Sequence, residues 1–265
     1  MGKRRRRTAV LCAVVVGVGL TGISGCGDSG EESPKGSRQG GTEVQRMSAA
    51  LKTLKGYDTV RMTGSYSPVG PVDLRVDRDG NCVGTMGYPG ESRVEIIQVG
   101  GERAWYRHED ASLASVRRMA EYIGPGAVAR HDEAAKKARG KYIESSAAEV
   151  KDDQRLTLCD LDRAFAEVPD SASKAKALNP ITQDGERIVE LVEQPESDGV
   201  TVHITVKGDP LPRKVKFELN DERAELELRD ADKPVPATPP PAAETVPSAE
   251  VTGLFPEIPE HMRGE

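Results

Sequence analysis

The sequence predicts an α+β fold in which helices cover one face of a large antiparallel sheet. Three observations predict it. Short β-type runs, "TVRMTGSY", "VDLRV", "CVGTM", "VEIIQV" and "RAWYR", follow one another with only Gly, Pro and Asp-Gly punctuation between them. That is too little chain for the crossovers that parallel strands need. A helical middle separates these runs from a second set, "GERIVELVE", "GVTVHITVKG", "RKVKFELN" and "AELELRD". No strand-helix-strand rhythm and no internal repeat is present, so the helices gather beside the sheet rather than between its strands.

The elements follow in order. Residues 1–25 read as a secretion signal: a basic cluster from Lys3 to Arg7, an apolar run from Ala9 to Leu20, then small residues before Cys26. The apolar run falls short of the roughly 20 residues that a permanent membrane helix needs. The ending "ISGC" resembles the bacterial lipobox, which implies that the Cys26 thiol is acylated and the bond before it cut. An ordinary signal peptide that happens to end in cysteine is the alternative, and Sec and twin-arginine export both stay open. Five of the 37 basic residues and none of the 43 acidic ones lie in this leader, so its removal takes the formal charge from −6 to −11. An acidic body argues against nucleic acid and against a basic face on anionic lipid. Attachment to the membrane would come from the acyl chains, two of which suffice for stable anchoring.

Residues 26–43 are rich in Gly, Ser and Glu and carry no bulky apolar side chain after Cys26, the composition of a flexible tether. The domain is expected over residues 44–232. It opens with Val44, Met47, Leu51 and Leu54 at helical spacing, closed by Gly56. One Trp and three Phe in the whole chain leave the core to Val, Leu and Ile. In the middle, "DASLASVRRMAEYI" puts Leu113, Val116, Met119 or Ala120, and Ile123 on one helix face behind an Asp110 cap. "HDEAAKKARG" is a weaker helix, and Ser146 to Glu149 forms a capping box. "LCDLDRAFAEV" then spaces Leu158, Leu161, Phe165 and Val168 as a helix does. In the second set of strands, Val202, Ile204 and Val206 alternate with Thr201, His203 and Thr205, one dry face and one polar. Residues 233–265 are expected as a disordered proline-rich tail, with docking of Leu254, Phe255 and Ile258 on the domain or a partner as the alternative.

"DLRVDRDGNCVGTM" poses a choice between metal loop, turn and crosslink. Asp77, Asp79 and Asn81 begin as a calcium loop does, but the sixth position is Cys82 and the twelfth is Tyr88, where glycine and glutamate are required. No metal site is assigned. Asp79-Gly80 suits a type I′ hairpin with Val76 opposite Val83. Of four cysteines, Cys12 leaves with the leader and Cys26 is consumed by acylation. Cys82 and Cys159 remain as an even pair in an oxidising compartment, which favours a disulfide over two buried thiols.

Enzyme chemistry has little to stand on. His108, His131, His203 and His261 lie apart without metal-ligand spacing and are expected to be solvated. There is no G-x-S-x-G, no phosphate-binding glycine loop and no distinctive carboxylate pair. No catalytic residue and no cofactor is assigned. Trp105 is either core or a ligand platform, with core the expectation.

The order of pieces resembles the actinobacterial lipoproteins of the LppX/LprG group, relatives of the LolA-like lipid carriers. The resemblance runs through the lipobox cysteine, the Ser/Gly-rich tether, a first helix, "DLRVDRDGNCVGTM" and "VEIIQVGGERAWYR". It continues through "GKYIE", "LCDLD", "VHITVKGDPLPRKVKFEL" and "RDADKPVPATPPPAAE", nearly the whole mature chain. It implies a half-open antiparallel barrel with helices on its concave face, enclosing an apolar cleft for acyl chains. The function expected on that basis is a lipid-anchored, non-enzymatic protein of the extracytoplasmic membrane face that binds or ferries a lipid or other hydrophobic ligand. A filled-core interaction or sensor module of the envelope is the alternative. No ligand-binding residue is assigned.

Overall fold

The computed structural model describes residues 39–256, apart from 68, 89–91, 167, 184, 193–198 and 220–221. The leader, Cys26, residues 27–38, Ile258 and His261 lie outside the described residues. Helix α1 (Gln39–Lys55) starts ahead of the expected position 44 and ends where the Gly56 N–H caps Lys52 and Thr53 carbonyls. A five-strand meander follows: β1 (Thr59–Tyr66), β2 (Gly70–Asp77), β3 (Cys82–Tyr88), β4 (Ser92–Val99) and β5 (Arg103–His108). Then come α2 (Asp110–Ile123), α3 (Pro125–Ala138), β6 (Tyr142–Ser145), α4 (Ala147–Asp152), a 3-10 turn (Gln154–Cys159) and α5 (Leu161–Ala164). Short strands β7 (Lys176–Ala177) and β8 (Ile181–Gln183) precede a second meander, β9 (Glu186–Val192), β10 (Val200–Thr205), β11 (Pro212–Leu219) and β12 (Glu222–Arg229). A last strand is β13 (Thr245–Pro247).

These strands form one curved sheet that does not close, ordered β13-β6-β5-β4-β3-β2-β1-β12-β11-β10-β9-β7. Pairing is antiparallel throughout except β13 on β6. Because side chains alternate along each strand, Val60, Met62, Leu74, Val76, Ile96, Val202, Ile204, Leu226 and Leu228 share one dry face, on which α1 and the 154–165 segment lie. Arg61, Asp73, Arg75, Glu95 and Arg107 share the other.

The β2–β3 hairpin corrects the expected register by one residue. Val76 pairs with Cys82, and Arg75 with Val83. A type I′ turn needs positive φ at both central residues, and here Gly80 (φ 78°) has it while Asp79 does not. The Gly80 N–H donates to Asp77 O at 3.3 Å and the Asp77 N–H to Asn81 O at 3.0 Å, so the loop holds three residues and ends on a left-handed glycine. A one-residue slip exchanges the faces of a strand. It is this register that turns Cys82 toward the dry face.

Two expected helices differ from their pattern. In α2 the N-cap is Glu109 without a side-chain cap bond, and Asp110 instead pairs with Arg139 at 2.9 Å. Ala120 rather than Met119 is buried. The stretch from Gln154 to Val168 is no continuous helix, because the Asp160 carboxylate accepts the Asp162 and Arg163 N–H groups and starts α5 afresh. Leu158, Leu161, Phe165 and Val168 are nevertheless all buried.

The expected disordered tail is also corrected, over its described part. Residues 230–244 run from β12 to β13 across seven inter-strand steps, about 34 Å at ~4.8 Å each. Fifteen residues of helix would reach only about 22 Å. As polyproline they reach about 46 Å, so "KPVPATPPP" serves as a strap. Asp230 meets Arg75 at 3.5 Å, and the Glu244 charge acts on Arg107 and Tyr142, so both ends of the strap meet side chains of the polar face. Beyond it Val246, Val251 and Leu254 are buried against α2, α3 and β6.

Candidate functional site

The apolar face of the sheet is the dry one. Its cluster is mainly aliphatic, with the aromatic rings of Tyr66, Tyr106, Phe165 and Phe217 and three methionines, Met62 and Met86 on the sheet and Met47 on α1, whose unbranched side chains adapt to irregular space. In this structure the expected apolar cleft is filled by side chains: Met47, Leu51, Met62, Leu74 and Ile96 are fully buried and Phe165 is 2% exposed.

The cover over the first meander is segmented. Residues 146–165 consist of α4, the 3-10 turn and α5, none longer than six residues. Each start is capped by its own side chain. Ser146 Oγ accepts the Glu149 N–H at 3.3 Å while Glu149 accepts the Ser146 N–H at 2.6 Å, which holds the Glu149 carboxyl below its usual range. Asp153 accepts the Tyr106 hydroxyl at 2.7 Å and a two-toothed bond from Arg155, whose guanidinium lies 5.0 Å over the Tyr106 ring. Burial opposes ionisation of Asp153, but these donors outweigh it and keep its carboxyl below the ordinary value. Burial, then the Asp153 charge, pushes the Tyr106 hydroxyl upward. Cys159 joins Cys82 in a disulfide with Cα atoms 5.3 Å apart, so the cover is covalently tied to β3.

At the hairpin end a cleft of about 390 Å³ opens between the cover and the sheet. Val150, Leu156 and Leu161 form its apolar side, and Arg78, Lys151, Asp160 and Arg163 its charged rim. Arg78 bonds to Asp162 and to the Lys55 carbonyl, and so laces the hairpin to α1 and α5. Gln98 is 4% exposed; its amide donates to Gly80 O at 3.1 Å and its Oε1 has no hydrogen-bond partner among the described residues. Asp77 spends its oxygens on the Asn81 backbone and side-chain N–H groups at 2.9 and 3.0 Å, so these residues make a turn. Among the described residues no group of three or more His, Cys, Asp and Glu side chains is placed to hold a metal ion.

Three histidines expected in solvent are buried. His108 Nδ1 lies 2.9 Å from the hydroxyl of fully buried Ser112, and burial, helped by Arg155, pushes its pKa down to about 4. His131 Nδ1 donates to the Leu254 carbonyl at 2.8 Å. His203 is 6% exposed with neither ring nitrogen hydrogen-bonded among the described residues, and burial lowers its pKa against the pull of Glu190, 3.7 Å away. Sequence periodicity could not report the burial of His108 and His131, because it depends on α2, α3 and the tail that docks beside them. Trp105 is 1% exposed with the Arg103 guanidinium 4.6 Å over its ring, a core residue. Of the sequence-derived site residues, Cys82 and Cys159 are brought together, and Cys26 lies outside the described residues. No helix among the described residues is long and apolar enough to cross a membrane.

No family model matches the chain, and no curated protein matches its sequence. Solved structures do match its fold. LprF from Mycobacterium bovis aligns over 76% of this chain and 97% of its own at 14% identity, with a TM-score of 0.52. The Mycobacterium tuberculosis lipoprotein LppX aligns over 75% and 99% at 12% identity, with a TM-score of 0.44. The large, open, mostly antiparallel sheet with helices laid on it is thus the fold of LprF, which agrees with the fold that the order of motifs implied.

Proposed function

We propose that the protein is an acyl-anchored lipoprotein of the extracytoplasmic membrane face that takes up a hydrophobic molecule between its sheet and its helical cover, without covalent chemistry. The observation that carries this reading is the construction of that interface. A continuous apolar sheet face, adaptable through its methionines, lies under a cover of three short capped segments with one covalent tie. Short segments open at lower cost than long helices, because each loses few contacts. Burying an acyl chain returns about 0.8 kcal/mol per methylene, so a chain of about sixteen carbons offers ~12 kcal/mol against the core contacts that it displaces. The filled interior is then the unloaded state.

The filled interior also favours a second reading, an envelope interaction module with an ordinary core. Titration with a pyrene-labelled long-chain lipid separates the two. The carrier saturates at one lipid per protein, and a disulfide-free variant exchanges it faster. Absence of saturable binding in both forms leaves the interaction module.

A further inference from the structure

We infer that residues 245–256 form a detachable clasp: a peptide, held in cis, that closes a groove between β6, α3 and α2. The groove is built to receive a chain. The helix face that α3 offers consists of Ala134, Ala135 and Ala138, which leave a shallow trough floored by Leu113 and Ile143. Val246, Val251 and Leu254 fill it, and each is at most 5% exposed. The fit is specific as well as apolar. Thr245–Pro247 adds a parallel strand to the edge of β6, and His131 Nδ1 donates to Leu254 O at 2.8 Å. The Phe255 ring lies 5.2 Å from that of His108. Gly253 sits so close to α3 that a Cβ there would come within 2.9 Å of Arg130 Cβ and 3.0 Å of Arg130 O. Only glycine passes at this point without moving the helix backbone.

The contacts also mark the clasp as separable. Its apolar cluster is distinct from the main core. Its strand has three residues and ends on a proline. The connection is the strap, where residues 233–241 belong to no helix or strand and Pro234, Pro236, Pro239 and Pro241 are exposed. Asp230 and Asp232, at φ 53° and 64°, form the bend from which it leaves β12. A tether of this length holds a weak ligand at millimolar effective concentration, so a modest intrinsic affinity keeps the groove closed. Release would uncover Ile143, whose strand neighbour is Tyr106 at the margin of the main core. The clasp therefore guards a lateral way into the dry face; this last role rests on the carrier reading, whereas the clasp itself rests on its contacts.

The test uses the full exported chain with a site-specific protease sequence inserted between Ala237 and Thr238, cut only after folding. The expected result is that the released fragment leaves on dilution while the remaining domain keeps its circular dichroism and a cooperative melt. A synthetic peptide of residues 242–256 then rebinds saturably, and the same peptide with Gly253→Ala binds at least tenfold more weakly. A fragment that leaves only in denaturant, a domain that unfolds on its loss, or rebinding indifferent to Gly253→Ala overturns the clasp. If the uncut protein holds no hydrophobic ligand, the carrier reading fails and the clasp result stands unaffected.

Discussion

Replacing both bridged cysteines by alanine, Cys82→Ala with Cys159→Ala, is the perturbation whose size follows most directly from the chain. The bond joins residues 77 apart in sequence. Closing a loop of that length removes roughly 15 cal/mol/K of entropy from the unfolded chain, about 4.5 kcal/mol at 25 °C. For a domain of this size each kcal/mol is worth roughly 2–4 °C, so the variant is expected to melt about 10–15 °C lower. Urea and thermal unfolding of the oxidised protein, the reduced protein and the double variant measure it. Both cysteines are fully buried and lie in the main cluster, so the alanines add a small packing loss and the variant falls slightly below the reduced wild type. A loss under about 1 kcal/mol in both forms would refute the reasoning: the cover and the hairpin would then stay associated in the unfolded chain without the bond.

Acid should weaken the fold through His108. Its folded pKa of about 4 lies below the ordinary 6.5, so the unfolded chain binds the extra proton between those values. Stability from this group is fully present above pH 6.5 and falls by about 3 kcal/mol as pH drops toward 4. Urea midpoints at pH 7.5 and 4.5 report the fall, and a His108→Asn variant that lost as much over the same interval would assign it elsewhere. Gly84→Ala should cost at least about 3 kcal/mol, because φ is +150° and an added Cβ would sit 1.9 Å from the Asp73 carbonyl oxygen. A variant with wild-type melting would mean that β2 and β3 can separate at this point without penalty.

What the sequence disclosed were features written within a few residues of each other. The α1 stripe of Met47, Leu51 and Leu54 and the Ser146–Glu149 box are local patterns with their counterparts in the structure, and Val202 and Ile204 of β10 face the core as expected, whereas His203 and Thr205 on the opposite face are buried as well. The Cys82–Cys159 pairing was legible by counting, although the one-residue hairpin slip that orients Cys82 was not. That slip depends on Asp79 staying out of the left-handed region, a choice the Asp-Gly pair does not fix. Features that depend on distant chain were hidden. The tail carries Val246, Val251 and Leu254 at irregular intervals among prolines, and its receptor is an alanine face that in sequence resembles a weak solvent helix. The burial of His108 and His131 follows from α2, α3 and that tail, so it was invisible for the same reason. The Tyr106–Asp153–Arg155 cluster joins residues 47 apart, with no motif to announce it.

The most direct test of the carrier account is native mass spectrometry of the domain beginning after Cys26, exported from an actinobacterial host and kept oxidised. The account predicts a population heavier than the chain by the mass of a hydrophobic molecule, which is released on denaturation and extractable into organic solvent. A bare chain mass, under conditions in which a known lipid complex survives intact, would contradict it.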